Sequence, residues 1–133
     1  MTFKITIVSS PIPTSDNLND KLMWLGGSLG LFSKRDKDKS CFRIFIEMLK
    51  FARKGIPISS DELAARLNLS RGTVIHHINR MIVAGLIVVD HNRYFLRVSN
   101  LRKLIEEVQK DLENSLNDIK IIASDIDELL DLE

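Results

Sequence analysis

The stretch "DELAARLNLSRGTVIHHINRMIVAGLIVVDHNRYFLRV", residues 61–98, decides the fold. Ser59 and Glu62 make a capping box just upstream, which opens a helix over "LAARLN". Asn68 and Leu69 break it. Ser70 is a second cap, and the helix it starts runs to Ala84 and stops at Gly85. Val74, Ile78 and Met81 recur at i, i+4 and i+7, so one face packs on neighbouring helices. Ala64 is small where the two helices cross. "LIVVD" and "RYFLRVS" then flank His91 and Asn92, and two β-rich runs around such residues predict a hairpin.

Upstream, "KSCFRIFIEMLKFARKG" places Phe42, Phe45, Ile46 and Leu49 on one helical stripe. Ser40 is the expected cap and Gly55 the left-handed stop. Pro57 keeps "IPIS" extended. At the N-terminus, "TFKITIVSS" alternates apolar and polar residues and reads as a short strand, followed by the proline loop "PIPTSDN". Leu18, Leu22, Leu25 and Leu29 predict a helix, although Gly26, Gly27 and Gly30 each weaken it by roughly 1 kcal/mol. "SKRDKDKS" is a charged linker. From residue 100 onward the chain is one long helical pattern. Leu101, Ile105, Val108, Leu112, Ser115, Ile119, Ile122, Ile126 and Leu129 alternate steps of four and three, a heptad seam broken only by Ser115. The fold class is mainly α with a small β-hairpin (α+β), in three parts. These are an N-terminal packing or dimer arm (1–33), a central domain (34–99) and a dimerisation helix (100–133).

The net charge of +1 hides a strong asymmetry. Residues 34–103 hold fifteen Lys/Arg against six Asp/Glu, and residues 104–133 hold two against ten. The central domain can meet a polyanion, and the last segment would be repelled by one. Composition is that of a globular protein, 44% hydrophobic and 28% charged. A single cysteine, Cys41, excludes an intrachain disulfide and a cysteine-rich metal site. Its plainest reading is a small buried hydrophobe in a cytoplasmic protein. No signal peptide is expected, and the longest apolar run, residues 22–32, is too short for a bilayer, so no membrane partner is expected either.

Helix, extended piece, helix, turn, helix and hairpin follow one another in the winged helix-turn-helix order. Residues 61–98 resemble ArsR-like winged-helix transcription regulators of archaea and bacteria. Leu63-Ala64, Leu67, Leu69, Ser70, Thr73-Val74, His77-Ile78 and Ala84-Gly85-Leu86 carry the resemblance. It implies a DNA-binding regulator with no catalytic residues and no cofactor. The residues agree. The start of helix 70–84 presents Ser70, Arg71, Thr73 and His76, with Asn79 and Arg80 further on. Arginine reads guanine, asparagine reads adenine, and threonine touches a thymine methyl or a phosphate. The helix start itself favours a phosphate oxygen. His91 and Arg93 mark the hairpin tip, and Lys54 and Arg66 are expected on the backbone outside the groove. Ile75, Ile82 and Val83 are apolar where the resemblance leads one to expect polar residues. They either meet thymine methyls or are covered by the N-terminal segment. Cover is expected for Ile82 and Val83, and a place near the groove for Ile75.

The heptad seam predicts a homodimer through Leu101, Ile105, Val108, Leu112, Ile119, Ile122, Ile126 and Leu129. The alternative is a helix folded back on its own core. Two-fold symmetry would set the paired recognition helices about one DNA turn apart, ~34 Å. Other chemistry is thin. His76 and His77 lie on different helix faces and cannot share a metal in cis; His77 reads as a packing residue. "GGSLG" lacks the Lys-Ser/Thr of a P-loop, so it reads as close packing or a turn. Trp24 reads as a core or dimer contact. Competing readings of the whole are a protein-interaction module within a larger assembly, and RNA binding by the same basic face.

Overall fold

The computed structural model describes residues 3–32 and 39–132, so most of the expected charged linker lies outside the described residues. Among the described residues, five helices and three short strands follow in the order α1 (Leu18–Ser28), α2 (Ser40–Lys54), β1 (Ile58–Ser59), α3 (Ser60–Leu67), α4 (Arg71–Val83), β2 (Ile87–Asp90), β3 (Arg93–Leu96) and α5 (Leu101–Leu130).

The helix ends follow the expected chemistry with one exception. Ser59 Oγ accepts from Glu62 N, Ser70 Oγ from Thr73 N, and Asn100 Oδ1 from Lys103 N, each answering a backbone donor that no helix can satisfy internally. Gly55 and Gly85 take left-handed conformations at helix ends. The exception is α2. Ser40 is its first helical residue and is buried, while Lys39 occupies the cap position in a left-handed conformation without a side-chain cap.

The hairpin is a two-residue turn with positive φ at both His91 (50°) and Asn92 (62°), the backbone that matches the twist of the paired strands. A third strand joins it. Ile58 and Ser59 pair with Tyr94 and Arg93, giving the order β1-β3-β2. The strand expected near the N-terminus does not form. Its alternation holds in part, since Phe3 and Ile5 are half-buried and Lys4 and Thr6 exposed. What is missing is a strand to pair with. Residues 3–8 run beside helices, whose only spare acceptors are their last carbonyls. Lys4 N accordingly donates to Val83 O (2.8 Å) and Val8 N to Ser28 O (2.9 Å).

One core receives side chains from all three parts of the chain: Leu29 and Leu31, then Phe45, Met48, Leu63, Ile78 and Leu86, then Leu104 and Val108. Val74, Ile78 and Met81 form the inner face of α4 as expected. Two glycines explain "GGSLG". A Cβ at Gly26 would stand 2.7 Å from Phe42 Cδ1, so Gly26 lets α1 approach α2. Gly30 has φ +69° and a Cβ there would lie 3.0 Å from Thr6 O, so it serves both a turn and the crossing of the N-terminal segment. Trp24 is half-buried, its indole N–H donating to Pro11 O at 2.9 Å.

The seam of α5 divides. Leu104 and Val108 are buried in the chain's own core, and Leu101, Ile105 and Leu112 pack against it. For these five the fold-back alternative describes what they do within the chain. Ile119, Ile122, Ile126 and Leu129 stay exposed, as do Leu116 and Leu130.

Candidate nucleic-acid interface

Successive residues of α4 turn by about 100° around its axis. Relative to the buried line Val74–Ile78–Met81, the outermost line is Gly72, His76, Asn79 and Val83, all of them exposed. Gly72 has nothing within 4 Å of where a Cβ would stand, so bare backbone lies open at the helix's first turn. Ser70 caps that turn, its hydroxyl held between Thr73 N (3.1 Å) and Thr73 Oγ1 (2.8 Å). Thr73 is half-buried in consequence, and both hydroxyls serve the cap first. The turn before it is pinned from a distance: the Arg43 guanidinium donates to Leu67 O at the end of α3. Nothing in local spacing announces that contact between residues 24 apart in sequence.

The expected contact residues fall into three groups. Arg71, His76, Asn79 and Arg80 share the exposed part of α4. Arg71 pairs with Asp61 at 3.4 Å, but both side chains are mostly solvent-exposed, so the pair is weak and exchangeable for a phosphate. Arg80 lies at the other end, its guanidinium 3.5 Å from Gly30 O. His91 and Arg93 lie on the exposed hairpin, where His91 Nδ1 sits 2.6 Å from Asp90 Oδ1. Lys54 and Arg66 form the third group, and their charges are already engaged. Both lie over the Phe51 ring, and Arg66 also reaches Glu62 (3.4 Å) and Glu47 (3.7 Å).

The apolar residues of α4 are placed as follows. Ile82 is half-buried against the core, in a recess it shares with Phe3. Val83 remains 43% exposed, so the expectation of cover fails for its side chain; only its carbonyl is taken, by Lys4 N. Ile75 is half-buried on the flank of α4. His77 is buried, its ring edge-on to His76 at 5.1 Å, consistent with a packing role.

A group that sequence reasoning passed over fixes α5 to this surface. Arg97, on the exit from β3, binds Asp111 with both terminal nitrogens and reaches Glu107 at 3.4 Å. The hydrogen bond and charge of Asp111, with Glu107 behind it, hold the guanidinium pKa above its ordinary value despite partial burial. The acidic helix therefore flanks the Ile82 side of α4, with Asp118 lining the recess there, and not the line of Gly72, His76 and Asn79. Opposite charges ten or more residues apart carry no periodic signal, which is why the pairing was invisible.

Helix, strand, helix, turn, helix and a hairpin that closes a three-stranded sheet are now all in place. The central module is a winged helix-turn-helix. A family model described as winged helix-turn-helix DNA-binding matches residues 54–88, from the end of α2 into β2. It covers neither the N-terminal segment nor α5. Neither the comparison with curated proteins nor that with solved structures returned a match. Within the winged helix, α4 occupies the recognition position and β2–β3 form the wing. Among the described residues no cluster of three His, Cys, Asp or Glu is placed to hold a metal, and no helix is long and apolar enough to cross a membrane.

Proposed function

We propose that this chain is a cytoplasmic transcription regulator that binds double-stranded DNA as a homodimer and has no enzymatic activity. The observation that carries this reading is the open outer line of α4, Gly72–His76–Asn79, in a segment that matches DNA-binding winged helices. Arg71 and the backbone at Gly72 meet phosphate at the helix start, His76 and Asn79 face base edges, and Arg93 and His91 extend the footprint to the wing. Lys54 and Arg66 contribute less, because Phe51, Glu47 and Glu62 already hold them. The resemblance to ArsR-like regulators supports the same role.

The dimer forms through the exposed half of α5. Leu116, Ile119, Ile122, Ile126, Leu129 and Leu130 leave a continuous apolar stripe in water, more than a lone helix sustains. A two-fold axis there would present two recognition helices to half-sites ~34 Å apart.

Binding to a fluorescent generic duplex, titrated with salt, tests the reading. Affinity should fall linearly on a log–log plot, with a slope of about −0.9 per phosphate neutralised. Arg71→Ala and Arg93→Ala should each make that slope shallower by about 1 without changing the melting temperature. No binding at low salt would replace the regulator with a protein-interaction module built on the same α5 stripe.

A further inference from the structure

The N-terminal segment does not simply lie against α4. Between residues 4–6, residues 29–31 and the C-terminal half of α4 it leaves a cavity of about 460 Å³. Its floor is apolar: Leu29, Leu31 and Met81 line it and are almost fully buried. Its rim carries Lys4, His76 and Arg80, and among the described residues no Asp or Glu lines it. Arg80 is exposed, and among the described residues its guanidinium makes a long contact to a neutral carbonyl, Gly30 O. A second cavity, about 600 Å³, lies on the other flank of α4; Arg97 pairs with Asp111 in its lining, which leaves Asp118 as the carboxylate without that partner.

We propose that the first cavity binds a small monocarboxylate with an apolar body, and that its occupancy opposes DNA binding. A planar guanidinium receives a carboxylate through two parallel hydrogen bonds, with Lys4 and His76 adding positive potential. The apolar floor takes an alkyl or aryl body of about six to ten carbons, in a cavity within the usual ligand range of ~300–1,000 Å³. The same His76, Asn79 and Arg80 belong to the surface assigned to DNA. A bound carboxylate therefore neutralises charge on the recognition helix. It also wedges between α4 and a segment tied to it through Val83 O. The ligand site stands on the cavity alone, whereas its effect on DNA rests on the reading given above.

Sodium octanoate is the probe, titrated calorimetrically into the full chain against octylamine and against sodium chloride at equal ionic strength. Saturable binding of one octanoate per chain is expected, with Kd at or below ~1 mM. Methyl NMR shifts should appear at Leu31 and Met81. Octylamine should bind at least tenfold more weakly there and shift Val88 and Val89 instead. Arg80→Gln, a change at an exposed side chain, should weaken octanoate at least tenfold with an unchanged melting temperature. Lys4→Gln should do so by a smaller factor. The site is overturned by an absence of saturable heat, by equal affinity for octylamine, or by equal affinity in Arg80→Gln. In the second arm, octanoate should displace duplex from the native chain, and Lys4→Gln, a change outside the surface assigned to DNA, should raise the octanoate concentration needed by the same factor by which it weakens octanoate binding. Duplex that stays bound at saturating octanoate overturns the regulatory half. A chain that takes octanoate but never binds duplex supports the site and overturns the regulator.

Discussion

Residues 101–112 and 116–130 belong to one helix and one heptad seam, and their surroundings are opposite. In the first half Leu104 and Val108 are buried, and Arg97 clamps Glu107 and Asp111 from the wing side. In the second half Ile119 is 63% exposed and Leu129 85%, with Ile122 and Ile126 exposed between them. Flanking charge differs too. Residues 101–110 mix Arg102, Lys103 and Lys110 with Glu106 and Glu107, and ion pairs such as Arg102–Glu106 follow. Residues 113–132 hold one cation, Lys120, among Glu113, Asp118, Asp125, Asp127, Glu128 and Asp131. The same periodicity thus reports that a stripe is to be covered, and leaves open by what. Intrachain packing covers one half; the other half is the one assigned above, as a proposal, to a second copy of the chain.

Five variants put that contrast under strain. Leu104→Ala leaves a hole in a core that cannot fully collapse and should cost about 2–5 kcal/mol in denaturant unfolding. Ile122→Ala, measured at a concentration where the chain is monomeric, should cost under about 0.5 kcal/mol. Equal costs would mean the two halves share one environment after all. Ile122→Asp combined with Ile126→Asp places charge in the proposed dimer seam. Self-association by sedimentation should weaken about a hundredfold or more, on the order of 3 kcal/mol, while the monomer stays folded. An unaltered dimer would move the interface elsewhere. Arg97→Gln removes the clamp and should cost about 1–2 kcal/mol, with amide protection lost first around residues 101–112. Asn100→Ala takes away the cap at the start of α5 and should cost about 1 kcal/mol, leaving association untouched.

Legibility in the sequence followed range. Ser59, Ser70, Gly55 and Gly85 were readable because a cap or a left-handed stop is decided within about four residues. The inner face of α4 was readable because Val74, Ile78 and Met81 repeat at helical spacing. The candidate DNA-facing surface was readable as a set of exposed residue types, but not in how firmly each is already engaged. Arg66 and Arg71 look alike in sequence, yet one is stacked on Phe51 between two carboxylates and the other is held by a single exposed Asp61. Lys4 gave no sign of lying beside α4, since its position depends on the carbonyl at Val83. The N-terminal alternation was misread for a related reason: a period of two marks a half-buried extended segment, and a strand also needs an unpaired neighbour.

The amino-acid order alone determined the helices, the hairpin turn, the inner line of α4 and the split between a basic centre and an acidic end. Each of these rests on residues a few positions apart, whose geometry is set by the backbone itself. Folding decided which half of α5 is buried, where Arg97 and Arg66 spend their charge, that Ile58–Ser59 complete the sheet, and that a basic-rimmed hollow opens beside α4. Those outcomes depend on which surfaces meet across tens of residues, and no local pattern carries that information.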